Sequence, residues 1–253
     1  MADGGAAALV TGGSRGIGAA TALALAGRGR DVALTYRNKA ARAEEVAREA
    51  RRLGVRARAL GGDLTRPADL ARLCAELRGW CARLDALVLN ASGGLERDLV
   101  AADPDYPLRI NRDAQLAVLD GALPLLVGGG TVVFVTSHWA HLHGRVAQLP
   151  AYEPVAASKH AGELALRARQ ADLAARGVRL LVVTGDLVEG TITPKLLQRA
   201  ARGAVAAAGA PAPPARLPTA AAMGAAIADA ALDPALPSGH TVVVGRALDE
   251  LLV

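Results

Sequence analysis

Short, continuously apolar runs recur along this chain with helical patterns between them, and that alternation restricts the fold more than any other feature. AALV (7–10), DVALTY (31–36), the stretch 55–60, DALVLN (85–90), TVVFVTS (131–137), VRLLVVT (178–184) and TVVVG (241–245) have strand character. Helical patterns at 16–28, 39–53, 67–83, within 104–126 and at 154–176 separate the first six of these runs. Strands apolar on both sides need cover on both faces, and parallel neighbours need a long crossover, usually a helix. The pattern therefore predicts a single α/β domain over 1–253, a doubly wound parallel sheet of about seven strands with helices on both faces. The segment 186–216, rich in Gly, Pro and Ala and ending GAPAPPAR, leaves directly from a strand end. It is expected to form a lid over a crevice at the strand C-termini.

Composition removes several classes of function. With 253 residues, 52% hydrophobic and 21% charged, the chain can bury a core. No apolar run approaches the roughly 18 residues of a membrane span. MADGGAAALV carries no basic leader, so a cytoplasmic location is expected. Cys74 and Cys81 lie two turns apart on one expected helix, too far for an easy disulfide. No C-x2-C or H-E-x-x-H spacing occurs, so no metal site is expected. The net charge is +5, but Arg48, Arg51 and Arg52 interleave with Glu44, Glu45 and Glu49 as on a solvated helix face. One Phe, two Trp and three Tyr leave little to stack on bases, so the expected partner is a small molecule rather than nucleic acid or membrane.

Thr11-Gly12-Gly13-Ser14-Arg15-Gly16-Ile17-Gly18 sits between the first strand and the first helix. A pyrophosphate needs free backbone N–H groups and the positive end of a helix, approached without interference from a Cβ. Gly12, Ser14, Arg15, Gly16, Ile17 and Gly18 are thus candidate phosphate-binding residues, in the strand-turn-helix context that gives a glycine triplet meaning.

Written as TGGSRGIG, this turn resembles that of the short-chain dehydrogenase/reductase family, and the resemblance extends over nearly the whole chain. It implies a Rossmann-type fold and a nicotinamide cofactor. Asp63-Leu64 in GGDLT matches the family's adenine-holding segment after the third strand, and Asn90-Ala91-Ser92-Gly93 matches its NAG segment, with Ser inserted. At the end of the second strand an acidic residue would bond the ribose of NAD and repel a 2′-phosphate. The chain has Tyr36-Arg37-Asn38 there, and Arg15 nearby, so NADP(H) is the expected cofactor.

The resemblance also implies a catalytic set. Ser137 ends the fifth strand, with Thr136 as the adjacent alternative, and Asn111 on the preceding helix matches the family's relay Asn. Lys159 matches the ribose-binding Lys that lowers the pKa of a proton-donating Tyr. The Tyr itself departs from the pattern. Val155 stands where the family has Tyr, and Tyr152 is seven residues before Lys159 rather than four. Both spacings return to one helix face. Pro154 belongs in a first turn, which places Tyr152 just before the helix, with a freer hydroxyl. Tyr-x6-Lys resembles divergent enoyl-thioester reductases of the same superfamily, whereas TGGSRGIG is the ketoreductase form of the turn.

The expected function is NADPH-dependent carbonyl reduction, with C=C reduction as the alternative and a cofactor-binding sensor or non-redox protein as a third reading. Gly185 preserves the turn after the sixth strand, and Thr191 is the expected carboxamide contact. Asp186 and Glu189 suggest a cationic substrate. His138, His141 and His143 are expected to be solvated or to line the pocket, Trp139 to line it, and His160 and Glu163 to face solvent or a subunit. The resemblance implies a homodimer or homotetramer packed through 104–126 and 154–176.

Overall fold

The computed structural model describes residues 6–126, 128–148, 150–189 and 217–252. Seven parallel strands form one sheet in the order β3-β2-β1-β4-β5-β6-β7. They are β1 (Ala7–Val10), β2 (Asp31–Tyr36), β3 (Ala57–Gly61), β4 (Ala86–Leu89), β5 (Thr131–Ser137), β6 (Arg179–Gly185) and β7 (Thr241–Val244). This is the single-domain Rossmann-type α/β architecture expected from the alternation. Because side chains alternate across a strand, the continuous runs split between two cores. Leu9, Leu87, Leu89, Val132 and Phe134 face one layer, and Val10, Val88, Val133, Val135 and Val183 face the other.

Helices α1 (Gly16–Ala26) and α2 (Ala40–Arg52) cover the second face, joined there by α10 (Ala220–Leu232). Alanine-rich α10 has no apolar stripe to betray it, although Thr219 caps it by accepting a bond from the Ala222 N–H at 3.1 Å. The first face is covered by α3 (Pro67–Trp80) and by the composite segment expected within 104–126. That segment consists of α5 (Tyr106–Leu108), a π turn (Arg109–Asp113), α6 (Ala114–Ala122) and a 3-10 turn (Leu123–Leu125).

Two short helices escaped the sequence pattern: α4 (Arg97–Ala102) and α7 (His138–His141). The expected helix at 154–176 is two, α8 (Glu153–Ala168) and α9 (Gln170–Ala175), broken at Arg169. No helix among the described residues is long and apolar enough to cross a membrane. Cys74 and Cys81 are buried free thiols. Thr191 and all of the expected lid beyond Glu189 lie outside the described residues.

The strand order reverses between β1 and β4, where ligands bind in open α/β sheets. On the far wall, α8 crosses the π turn at very close range. A Cβ on Gly162 would fall 2.1 Å from the Asn111 carbonyl oxygen, so only glycine allows this approach. Gly162→Ala is therefore expected to cost about 1–3 kcal/mol, as overpacking does. Urea denaturation measures it, and a stability equal to wild type would show that the crossing gives way freely.

Candidate active site

A crevice of about 800 Å3 runs along the strand C-termini on both sides of the switch point. One buried hydroxyl organises its centre. Thr11 Oγ1 accepts from the backbone N–H groups of Asn90 and Ala91, both at 2.9 Å, and donates to the Val88 carbonyl at 3.2 Å. Asn90 Nδ2 returns a bond to the Thr11 carbonyl at 2.9 Å, which stitches the turn after β1 to the loop after β4. Gly12 and Gly16 adopt φ of +67° and +55°, and a Cβ on Gly18 would sit 2.4 Å from the Gly12 carbonyl. The turn is thus a bare backbone cradle at the N-terminus of α1, which fits a bound pyrophosphate. Gly12, Ser14, Arg15, Gly16, Ile17 and Gly18 all line the crevice.

Asp63, Leu64, Asn90, Ala91 and Ser92 line the same cleft. One Asp63 oxygen, Oδ1, accepts from the Thr65 N–H and hydroxyl at 2.9 and 2.7 Å. Tyr36 and Arg37 are at the crevice too, but Arg37 has partners of its own. It donates to the Tyr106 hydroxyl at 2.5 Å and lies 3.7 Å from Glu96, whose other oxygen accepts from the Gly94 N–H at 2.8 Å. Lys39 and Arg42, at the start of α2, line this end as well and were missed in the sequence. Their position directly after β2 was the available signal. Among the described residues, the Arg15, Lys39 and Arg42 side chains have no ion-pair or hydrogen-bond partner. Three unpaired cations at one end of a cleft fit a phosphate.

At the other end, β5 delivers Ser137 and the start of α8 delivers Tyr152, their hydroxyls 3.0 Å apart. Tyr152 precedes the first helical residue, Glu153, as Pro154 required. It is not free to swing. The ring is 5% exposed and packs edge-on against Trp139 with centroids 5.7 Å apart. Burial pushes the Tyr152 phenol above its usual range, partly opposed by the Ser137 bond, so it is a protonated phenol at rest.

Lys159 lines the crevice and donates to the Val135 carbonyl at 3.1 Å, and among the described residues no carboxylate pairs with it. Burial lowers its pKa to about 8. Asn111 stands behind the wall. Its Nδ2 donates to the Gly93 carbonyl at 2.9 Å and to Ser158 Oγ at 3.0 Å, so its side chain braces the NAG-like loop against α8.

Other expectations need correction. Asp186 is buried and bonded to Arg246 at 2.6 Å, so it is no free attraction for a cationic substrate. His138 is buried with Nδ1 3.0 Å from the Thr184 hydroxyl, and burial lowers its pKa, making it a neutral core residue. Glu163, expected at the surface, is 4% exposed, and His160 bonds the Ala140 carbonyl at 3.0 Å. Short α7 covers His160 and Glu163 on α8, through the His141–Glu163 and His160–Ala140 bonds. Gly185 and Val188 line the crevice, as do apolar Leu95, Val155 and Leu187 near Tyr152.

The short chain dehydrogenase family model matches residues 6–200. The chain belongs to this family. It is similar to the hydroxynaphthalene reductase-like protein Arp2 of Metarhizium robertsii, 34% identical over 159 residues, which are 62% of this chain and 58% of that protein. It also resembles a 1-cyclohexenylcarbonyl-CoA reductase of Streptomyces collinus, 29% identical over 184 residues, 72% of this chain and 64% of that one. In structure it resembles a short chain dehydrogenase from Burkholderia cenocepacia J2315 in complex with NADP, with a TM-score of 0.79 and 29% identity, covering 97% and 98% of the two chains.

The buried lysine has a consequence for stability. Its folded pKa, about 8, lies below its ordinary 10.5, so the unfolded chain binds the extra proton between these values. Stability from this group therefore increases as pH rises from 8 towards 10.5. Between pH 7.5 and 9.5 the wild type should gain on the order of 1–2 kcal/mol relative to Lys159→Met. Paired denaturation curves measure this, and parallel pH dependences would rule out the lowered pKa.

Proposed function

We propose that the chain is an NADPH-dependent reductase of a carbonyl group in a small or carrier-bound, largely apolar metabolite. The observation that carries this reading is the Ser137–Tyr152 hydroxyl pair, 3.0 Å apart in the same crevice as cationic Lys159. The Gly12–Gly18 turn would hold the pyrophosphate, Asp63 the adenine and Lys159 the ribose. Arg15, Lys39 and Arg42 hold the 2′-phosphate, with Arg37 as a wall beside them. When bound there, the nicotinamide supplies a hydride.

Ser137 orients the substrate oxygen, and Tyr152 holds the proton that this oxygen takes up. The positive charge of Lys159 lowers the cost of the phenolate left behind. Leu95, Val155 and Leu187 beside Tyr152, and the neutralised Asp186, support an uncharged substrate. The names of the two reductases similar to this chain both contain an apolar ring, which supports an apolar reacting portion of the substrate. Assembly as a dimer or tetramer through the faces of α6 and α8 belongs to the same proposal, supported by Leu164 on α8, which is 55% exposed.

Conjugate reduction is the second reading, favoured by the Tyr152–Lys159 spacing and by the resemblance to an enoyl-type CoA reductase. In that chemistry the stabilised oxygen lies three bonds from the carbon that accepts the hydride, two farther than in carbonyl reduction. Incubation with NADPH and 2-cyclohexenone separates the two. The expected product is 2-cyclohexenol, whereas cyclohexanone would overturn carbonyl reduction in favour of the second reading. Tyr152→Phe is expected to lower kcat by about 100-fold or more with NADPH affinity unchanged. Retained turnover would remove Tyr152 from the chemistry. Arg42→Ala should weaken NADPH binding by roughly tenfold, the value of one charge-assisted bond, and leave NADH binding unaltered. Equal losses for both cofactors, read by fluorescence titration, would count against the phosphate assignment.

A further inference from the structure

His141 and the buried Glu163 are not used by the proposed chemistry, yet they belong to one bonded chain that runs from α7 to β7, while His138 bonds Thr184 instead. Ser137 is the N-cap of α7, its Oγ accepting from the Ala140 N–H at 3.2 Å. At the other end of α7, His141 Nδ1 lies 2.9 Å from Glu163 Oε2 on α8. The second carboxylate oxygen, Oε1, accepts from Arg167 Nε at 2.9 Å. Arg167 is fixed in turn by the Gly239 carbonyl at 2.9 Å and the Thr241 hydroxyl at 2.8 Å, at the start of β7. A further bond joins the same pair of helices, His160 Nδ1 to the Ala140 carbonyl at 3.0 Å, and the loop after α7 is tied to α8 by His143 Nε2 and Glu153 Oε1 at 2.7 Å.

A four-residue helix has no stability of its own, so its position is dictated by what holds it. Burying a carboxylate is costly unless its oxygens are paired. Burial opposes ionisation of Glu163, but the bonds from His141 and Arg167 outweigh it and hold the carboxyl below its usual range. The charge is therefore retained inside the protein at the point where α7 meets α8. The consequence reaches the reacting groups, because α8 carries Tyr152 at its start and α7 carries Ser137.

We propose that Glu163 is a positioning residue that, through His141, docks α7 on α8 and so keeps the Ser137 hydroxyl against Tyr152. The proposal rests on reading Ser137 and Tyr152 as the reacting pair. Only two tryptophans occur in the chain, and Trp139 lies within α7, packed on Tyr152. In a Trp80→Phe background its fluorescence reports the docking of α7 without reference to turnover.

Glu163→Ala is expected to shift Trp139 emission to the red and to lower kcat for 2-cyclohexenone by about 10- to 100-fold, as misplacement of a reacting group does. KM for NADPH should stay unchanged. His141→Ala cuts the link while leaving Glu163 paired with Arg167, and it should reproduce both effects in a protein with near-native Tm. Glu163→Gln keeps a hydrogen bond on each side and should restore most of the turnover. Unaltered Trp139 emission in His141→Ala overturns the proposal, as does a kcat loss matched by an equal loss of NADPH binding. Tyr152→Phe, measured in parallel, keeps the two ideas apart. Turnover lost in Tyr152→Phe but kept in His141→Ala would retain the reacting pair and reject the positioning role. Turnover unaffected in Tyr152→Phe would reject the pair, and Trp139 emission alone would then decide whether Glu163 holds α7.

Discussion

Thr11 ties the end of β1 to the end of β4, and the site depends on that tie. The chain leaves β1 towards α1 and leaves β4 in the opposite sense, so a crevice must open between the two ends. Opening it exposes backbone groups that the sheet no longer pairs. The Thr11 hydroxyl satisfies two of the N–H groups and the Asn90 side chain satisfies the Thr11 carbonyl. Unpaired buried groups of this kind cost about 1–3 kcal/mol each, so the stitch is more than a local contact. It fixes the loop that Asn111 braces from behind, and it fixes the glycine turn against which Gly18 packs. Both walls of the phosphate end thus have their positions set from one threonine.

The crevice divides its charges between its ends. Around the start of α2 the cations outnumber their partners: Arg37 is matched with Glu96, but Arg15, Lys39 and Arg42 are not matched. Around Tyr152 no such excess exists, because Asp186 is paired with Arg246 and the lining is made of the Ser137 hydroxyl and apolar side chains such as Leu95, Val155 and Leu187. Lys159 stands between the two as a buried cation with only a carbonyl to accept its proton. Burial of this kind lowers the lysine's own pKa.

The fold was largely legible because both its determinants are local. Every strand but the edge strand β3 is built around a continuous apolar run, and each crossover has enough residues for a helix. The glycine turn and the cofactor-side residues follow the same logic, since they sit at strand ends whose order fixes their neighbours. What escaped was anything decided by packing between distant segments. Nothing in AAAMGAAIADAAL distinguishes α10 from a low-complexity stretch until it lies on the sheet. Glu163 looks like an ordinary surface residue in sequence, and only the position of α7 turns it inward. Arg37 looked free for a phosphate because Tyr106, its partner, is 69 residues away along the chain.

Moving the tyrosine from the helix interior to its cap alters how its hydroxyl is aimed. Inside α8, a side chain at position 155 would inherit its direction from the helix backbone, and the residue there is Val155, which closes against Gly94 instead. Tyr152, one residue outside the helix, has no such constraint and must be aimed by its neighbours. Trp139 supplies one side and Ser137 the other, and both belong to the segment formed by the end of β5 and α7. The contact between the two hydroxyls therefore depends on the segment that carries Ser137 and Trp139 rather than on helix periodicity. That transfer of control explains why a family member can lose the usual spacing and still bring a serine and a tyrosine hydroxyl together in the crevice.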